Sequence, residues 1–80
     1  MVIYVKTGCP FCAKVLAVAR ELNVALEERN IADLGVADEL IARGGKRQVP
    51  YVVDEKNNVE MYESGDIVEY LKKTYDEGDT

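Results

Sequence analysis

Histidine is absent from this sequence of 80 residues, and cysteine occurs only twice. Without histidine the chain has no Ser-His or Cys-His nucleophile pair, no H-E-x-x-H zinc site and no histidine general base. Any chemistry that the chain performs must therefore be sulfur chemistry, at Cys9 and Cys12.

Long hydrophobic runs are also missing. The longest, residues 2–5 and 15–19, have about a quarter of the roughly 20 residues that a transmembrane helix needs. The N-terminus shows no basic stretch followed by a longer apolar region, as a secretory signal would. We therefore expect a cytoplasmic protein without membrane association.

Basic residues are outnumbered, with 10 Lys and Arg against 15 Asp and Glu and a net charge of -5. This charge disfavours contact with a phosphate backbone, so we expect no nucleic-acid partner. A content of 48% hydrophobic and 31% charged residues is typical of a folded chain. The length predicts one domain over residues 1–80, which we expect to be a monomer with a flexible tail at residues 76–80.

The two cysteines form a C-x-x-C motif that allows three interpretations. A disulfide between Cys9 and Cys12 would close a ring of four residues and stabilise the fold by about 2 kcal/mol, which is weak for a structural staple. A tetrahedral zinc site needs four ligands, so a monomer could complete one only with carboxylates, although two chains could share a metal. We favour the third interpretation, a redox-active dithiol, and expect no bound metal.

Hydrophobic periodicity predicts three helices and four strands. The apolar positions 11, 15, 18, 19 and 22 form one face of the first helix, which has Pro10 as its first residue and Cys9 at its N-terminus. The first strand is predicted at 2–5, followed by a helix from Pro10 to about Asn23 and a second strand within 24–31. A second helix is capped by Asp33, has Val36, Leu40 and Ile41 inward and is ended by Gly44-Gly45. A hairpin of strands 51–54 and 59–62 precedes a last helix, which is capped by Ser64 and has Ile67, Val68, Leu71 and Tyr75 inward.

The resulting order is β-α-β-α-β-β-α. A strand-helix-strand beginning predicts parallel pairing through a crossover, and the hairpin adds two antiparallel strands. We therefore predict an α/β fold with a four-stranded mixed sheet flanked by three helices. Free N–H groups and the dipole at the start of the first helix favour a thiolate at Cys9, whereas Cys12 lies one turn inside the helix. Cys9 is thus the predicted nucleophile and Cys12 its resolving partner.

Three segments carry a resemblance to a known family. Gly8-Cys9-Pro10-Phe11-Cys12 resembles the active-site motif of glutaredoxins, which have a thioredoxin-like fold. Gln48-Val49-Pro50 is similar to the Thr-Val-Pro element of that family, whose proline is cis and faces the thiols. Glu63-Ser64-Gly65-Asp66 resembles the segment that holds the γ-glutamyl end of glutathione in glutaredoxins and in the N-terminal domains of glutathione transferases. Met61-Tyr62, in place of the usual glycine pair, is closer to the transferase version.

The resemblance implies a glutathione site around Cys9. The residues alone also allow purely structural interpretations. Lys6 and Arg47 could be solvated surface charges, Pro50 could mark the beginning of a strand, and Ser64 could be a helix N-cap. The implied contacts are Lys6 and Arg47 with the glycyl carboxylate, Val49 and Pro50 with the backbone of glutathione or a peptide, and Ser64 and Asp66 with the γ-glutamyl group, with Pro10 and Phe11 beside the thiol.

The sequence is therefore interpreted as a dithiol oxidoreductase of the glutaredoxin kind, with glutathione as its co-substrate. Protein disulfides and glutathionylated proteins are the expected substrates, attacked by Cys9 and resolved by Cys12 or glutathione. Three alternatives remain open: an electron donor reduced by a flavoprotein thioredoxin reductase, a carrier of an iron-sulfur cluster bridged between two chains through Cys9, and a glutathione-binding module without turnover.

Overall fold

The computed structural model describes residues 1–75. Its elements are β1 (Val2–Val5), α1 (Pro10–Glu21), β2 (Glu27–Asn30), α2 (Val36–Gly44), β3 (Tyr51–Asp54), β4 (Val59–Met61) and α3 (Ser64–Tyr75). The predicted order of strands and helices is confirmed. The flexible tail expected at residues 76–80 lies outside the described residues. Within the described part, no helix is long and apolar enough to cross a membrane.

The four strands form one mixed sheet in the order β2-β1-β3-β4. β1 runs parallel to β2, and β3 runs antiparallel to both β1 and β4. At the centre of the sheet Ile3 lies opposite Val52 and Tyr4 lies opposite Tyr51. With three helices around it, this sheet gives the thioredoxin-like α/β fold that the resemblance implies.

The sheet has a hydrophobic core on each face, because side chains alternate along its strands. One core packs β1 and β3 against α1 and α3, and the other packs the same strands against α2. Each fully buried aliphatic side chain contributes about 1.5–3 kcal/mol. The first core contains Ile3, Val5, Cys12, Val15, Ala19, Val52, Ile67 and Leu71, and the second contains Tyr4, Ile31, Val36, Leu40, Tyr51 and Val53.

The second strand is shorter than the predicted span of 24–31, since β2 covers only Glu27–Asn30. The preceding residues complete the end of α1. Asn23 adopts a φ of 58°, its N–H bonds to the Arg20 carbonyl, and the Val24 N–H bonds to the Ala19 carbonyl. This is the Schellman arrangement of a helix C-terminus. The Val24 N–H is bonded within this helix terminus, so it does not donate to a neighbouring strand.

The prediction that Asp33 caps α2 is wrong. The N-cap is Gly35, whose φ of 82° lies in the left-handed region, and the Asp33 carbonyl instead accepts the Val36 N–H at 3.2 Å. Ile41, predicted to face inward, is 41% exposed. A helix of nine residues buries one narrow stripe here, at Val36 and Leu40, and Ile41 lies about 100° away from Leu40 around the axis.

Three smaller predictions also need correction. Phe11, assigned to the inward face of α1, is 61% exposed, and Cys12 takes the buried position. β4 ends at Met61, so Tyr62 lies beyond the hairpin. Ser64 is the first residue of α3 and not its cap, because the Glu63 carbonyl accepts the first helical bond, from the Ile67 N–H at 2.9 Å.

Asp54 is a buried carboxylate at the end of β3, only 2% exposed. Its Oδ2 accepts hydrogen bonds from the Tyr70 and Tyr75 hydroxyls, both at 2.5 Å, and from Asn57 Nδ2 at 2.8 Å. Burial raises the pKa of Asp54, but the hydrogen bonds from Tyr70, Tyr75 and Asn57 outweigh it and hold that pKa well below its usual range. The carboxylate thus fastens the last turns of α3 to the β3–β4 hairpin.

Replacing this carboxylate should destabilise the fold. We expect Asp54→Asn to lower the free energy of unfolding at pH 7 by about 1–3 kcal/mol, since a neutral amide is a weaker acceptor for two hydroxyls. The folded pKa is depressed, so the contribution is fully present above the unfolded pKa of about 3.9. It begins to decrease below that pH, and it is lost completely only as the pH falls through the lower folded pKa, so that pH 3 should show a reduced contribution. Urea unfolding at pH 7 and pH 3 measures both effects.

The matched control is Glu69→Gln, which changes an exposed carboxylate on α3, the helix that Asp54 fastens to the hairpin. It should leave the free energy of unfolding nearly unchanged at both pH values. A difference between Asp54→Asn and the unsubstituted protein that stays the same at pH 3 would show that the charge of Asp54 does not stabilise the fold.

Candidate functional site

The loop between β1 and α1 places Cys9 at the start of a helix. Gly8 has a φ of 82°, which glycine adopts readily, and the Cys9 N–H turns back to bond the Lys6 carbonyl at 3.2 Å. Cys9 is the N-cap residue and Pro10 the first helical residue, as predicted. The Cys12 backbone N–H consequently donates a hydrogen bond to Cys9 Sγ over 3.2 Å.

The two thiols have pKa values shifted in opposite directions. Burial raises the pKa of Cys9, but hydrogen bonds from the Cys12 thiol and from the Cys12 and Phe11 N–H groups, with the positive charge of Lys6, lower it overall. Burial and the hydrogen bond that its thiol donates to Cys9 raise the pKa of Cys12 to about 11. The site therefore favours a thiolate at Cys9 next to a protonated thiol at Cys12.

A neighbouring strand end supports the thiol loop, and sequence reasoning missed it. Asn30 Nδ2 donates to Thr7 Oγ1 at 2.8 Å, while Asn30 Oδ1 accepts the Ala32 N–H at 2.9 Å. β1 and β2 are parallel, so their carboxyl ends lie at the same edge of the sheet. An asparagine at the end of the strand next to β1 was the signal that could have revealed this contact.

A cleft of about 240 Å³ lies beside Phe11 and brings together three segments of the chain. Its walls come from the start of α1, from the loop before β3 and from the start of α3. The Val49-Pro50 peptide is cis, as the resemblance implies. Four of the predicted contact residues line the cleft: Phe11, Val49, Pro50 and Ser64.

The other predicted contact residues do not line this cleft. Lys6, Pro10 and Arg47 are exposed. Asp66 is also exposed and borders a separate depression with Glu69, Tyr70 and Lys73. The assignment of these residues to glutathione stays a prediction, although the charge of Lys6 does act on Cys9.

Gln48 and Glu63 also line the cleft, and sequence reasoning gave neither a role. Gln48 Nε2 donates to Glu63 Oε1 at 3.2 Å, which joins the loop before β3 to the start of α3. Each stands directly beside a predicted contact residue, Val49 or Ser64. That adjacency was the available signal, but the contact between positions 48 and 63 shows only in three dimensions.

Comparison with known proteins identifies the family. The family model for the glutathione S-transferase N-terminal domain matches residues 3–78. The chain belongs to this family. The predicted likeness of Met61-Tyr62 to the transferase version is consistent with that result. A search of curated proteins found no significant match.

Solved structures of glutathione S-transferases share the fold of this N-terminal domain. Glutathione S-transferase 1-6 from Anopheles dirus species B is 30% identical with a TM-score of 0.82, over 99% of this chain and 38% of that one. Ure2p in complex with glutathione is 25% identical with a TM-score of 0.75, over 99% and 35% of the two chains. The present chain thus spans well under half the length of these relatives.

A glutaredoxin also shares this fold. The solution structure of glutaredoxin from Brucella melitensis is 23% identical with a TM-score of 0.65, over 90% of this chain and 76% of that one. At this identity the likeness shows the fold alone. The thioredoxin-like fold implied by the resemblance is therefore common to the transferase and glutaredoxin structures.

The position of Cys9 predicts an acidic thiol. In Cys12→Ser, we expect the alkylation rate of Cys9 by iodoacetamide to rise with a midpoint below the value of about 8.5 for an ordinary thiol. Serine keeps a hydroxyl donor at position 12, whereas alanine removes it. The midpoint in Cys12→Ala should therefore be higher than in Cys12→Ser.

Free glutathione, alkylated under the same conditions, gives the reference for an unperturbed thiol. A midpoint in Cys12→Ser at or above that of the reference would show that the helix start does not stabilise the Cys9 thiolate.

Proposed function

We propose that this transferase-family domain acts as a glutathione-dependent dithiol oxidoreductase. The observation that supports it most is the pair of thiols at one helix start, with a pKa lowered at Cys9 and raised at Cys12. One thiol is thereby ready to attack a disulfide, while the other keeps its proton until needed. Glutathionylated proteins and protein disulfides are the proposed substrates of a monomeric, cytoplasmic protein.

With a glutathionylated protein, the Cys9 thiolate attacks the glutathione sulfur. A disulfide forms between Cys9 and glutathione, the protein–glutathione bond breaks, and the protein sulfur takes up a proton. A second glutathione, as its thiolate, then attacks the glutathione sulfur on Cys9. Oxidised glutathione is released and the Cys9 thiolate is restored.

With a protein disulfide, attack by Cys9 joins the two proteins through a new disulfide and releases one substrate thiolate, which is protonated. Cys12 then loses its proton and attacks Cys9 Sγ, so that the substrate leaves fully reduced and a Cys9–Cys12 disulfide remains. Two glutathione molecules reduce that disulfide and become oxidised glutathione. Cys12 is well placed for this step, because its thiol donates a hydrogen bond to the Cys9 sulfur that it would attack.

The cleft beside Phe11 is the proposed place for glutathione. Val49 lines the cleft directly before the cis peptide, and its backbone N–H and C=O are the groups proposed for strand-like pairing. Ser64 opens α3, whose N-terminal N–H groups favour a carboxylate. Lys6 and Arg47 are exposed cations available to the glycyl carboxylate, and Asp66 is available to the ammonium group. Similarity to Ure2p, solved in complex with glutathione, supports the same ligand.

A conjugating transferase is the second candidate, favoured by the family match. Conjugation joins the glutathione sulfur to an electrophilic carbon, whereas the proposed reaction exchanges disulfides. Parallel assays with chlorodinitrobenzene and with hydroxyethyl disulfide distinguish them. Turnover of the disulfide alone supports the oxidoreductase, and turnover of chlorodinitrobenzene alone supports the transferase.

The two cysteines should differ in which of the two reactions requires them. We expect Cys12→Ser to keep or raise the reduction of a glutathionylated protein, because glutathione can complete that cycle without Cys12. Its reduction of a protein disulfide should fall by about 100-fold or more, since an internal thiol acts at a far higher effective concentration than an external one. Assays of both substrates with glutathione and glutathione reductase measure this difference.

Cys9→Ser is the matched control and should abolish both activities. Equal loss of both activities in Cys12→Ser would mean that the roles are assigned wrongly. Turnover only when a flavoprotein thioredoxin reductase replaces glutathione and its reductase would favour the electron-donor alternative. A visible spectrum after anaerobic reconstitution with iron and sulfide tests the cluster-carrier alternative.

Glutathione bound to Cys9 should perturb the cleft. In Cys12→Ser glutathionylated at Cys9, we expect the largest amide chemical-shift changes at Val49 and Ser64 as well as in the thiol loop. The reason is that these residues form the two walls away from α1. Methylthiolation of Cys9 with methyl methanethiosulfonate serves as the control, because it forms a disulfide at the same sulfur with a group too small to fill the cleft. Changes confined to residues 8–12 would contradict the proposed site.

A further inference from the structure

Tyr62 lies between the end of β4 and the start of α3, directly before Glu63 and Ser64. Its hydroxyl accepts a hydrogen bond from the Lys46 N–H at 3.0 Å and donates one to the Lys46 carbonyl at 2.9 Å. A single side chain thus satisfies both backbone groups of one residue in the loop before β3. The segment that carries one wall of the cleft is thereby joined to the loop that carries another.

The tyrosine ring is itself held in place by the sheet. Its centroid is 4.3 Å from that of Tyr51 on β3, with the planes tilted by 38°. On another side it approaches Gly44 so closely that a Cβ there would be 2.1 Å from Tyr62 Oη. Lys46 Nζ lies 5.7 Å from the ring centroid, within the range of a cation–π contact. The position of the hydroxyl is therefore well defined.

The loop that Tyr62 holds has few other attachments. Between Gly45, whose N–H bonds the Ile41 carbonyl, and the beginning of β3, the described structure shows one further side-chain bond, from Gln48 to Glu63. Both of these polar contacts lead to the segment 62–63. The placement of Gln48 and Val49 in the cleft consequently depends on that segment.

We propose that Tyr62 is a positioning residue that sets the separation of two of the three cleft walls, the loop before β3 and the start of α3. Through this separation it sets the affinity for glutathione. This inference rests on the proposed function for the identity of the ligand. Tyr62 does not line the cleft, and it acts through the Lys46 backbone. Both thiols lie at the start of α1, so their chemistry should be independent of this contact.

Tyr62→Phe tests the inference, because phenylalanine keeps the ring against Tyr51 and removes only the hydroxyl. We expect the KM for glutathione to rise roughly tenfold, the usual effect of losing one or two hydrogen bonds. The kcat with a glutathionylated substrate at saturating glutathione and the alkylation midpoint of Cys9 should stay unchanged. Amide hydrogen exchange at residues 46–48 should become faster, a readout that needs no glutathione.

Two further variants separate positioning from stability. Tyr70→Phe removes a hydroxyl bonded to Asp54, and it should destabilise the fold without changing the KM. Gly44→Ala places a methyl group where the Tyr62 hydroxyl lies, so it should raise the KM as Tyr62→Phe does. Thermal unfolding of each variant shows the share of the effect that comes from stability.

The outcomes distinguish this inference from the proposed function. If the unsubstituted protein is active with glutathione while Tyr62→Phe changes neither the KM nor the exchange at residues 46–48, the inference is wrong. An equal rise in KM for Tyr70→Phe would also overturn it, since the effect would then be one of stability. If the unsubstituted protein does not use glutathione, the proposed function is wrong. The rates of amide hydrogen exchange at residues 46–48 in Tyr62→Phe then still test whether Tyr62 fixes the loop before β3.

Discussion

The antiparallel pairing of β3 with both β1 and β4 is the constraint on which the site depends. It places the carboxyl end of β1, the amino end of β3 and the carboxyl end of β4 at one edge of the sheet, as the pairs Tyr4–Tyr51 and Val52–Met61 require. The thiol loop, the loop before β3 and the start of α3 must then meet there. The buried side chains of the central strands fix this register, because a slip by one residue would exchange the two faces of the sheet.

Much of this arrangement could be predicted, because its signals are local. Strand patterns, Pro10 after Cys9, Gly45 at the end of α2 and the asparagines at turns each act within a few residues. The wrong predictions concern residues at which the local sequence pattern competes with another contact. Val24 reads as part of a strand, but its N–H completes a helix terminus. The site contacts that were missed, such as Gln48 with Glu63, join residues far apart in the chain. The spacing of apolar residues carries no information about such contacts.

Burial raises the pKa of three ionisable groups in this fold, yet the overall pKa shift is upward for one of them and downward for the other two. Cys9, Cys12 and Asp54 each have a pKa that burial raises. The direction of the hydrogen bonds decides the outcome. Asp54 and Cys9 accept hydrogen bonds, which favour their anions, whereas the Cys12 thiol donates a hydrogen bond to Cys9 and keeps its proton. The same thiol–thiol hydrogen bond therefore lowers one pKa and raises the other.

The hydrogen bond from the Cys12 amide to Cys9 Sγ has a consequence for the breaking of disulfides as well as for their formation. A sulfur whose anion is stabilised is a good leaving group, and its intrinsic nucleophilicity falls with its pKa. Once Cys9 is bound to another sulfur, attack on that partner expels a Cys9 anion already solvated by the helix amides. A mixed disulfide at Cys9 is therefore expected to be short-lived, because the helix start stabilises the sulfur that leaves when the disulfide is broken.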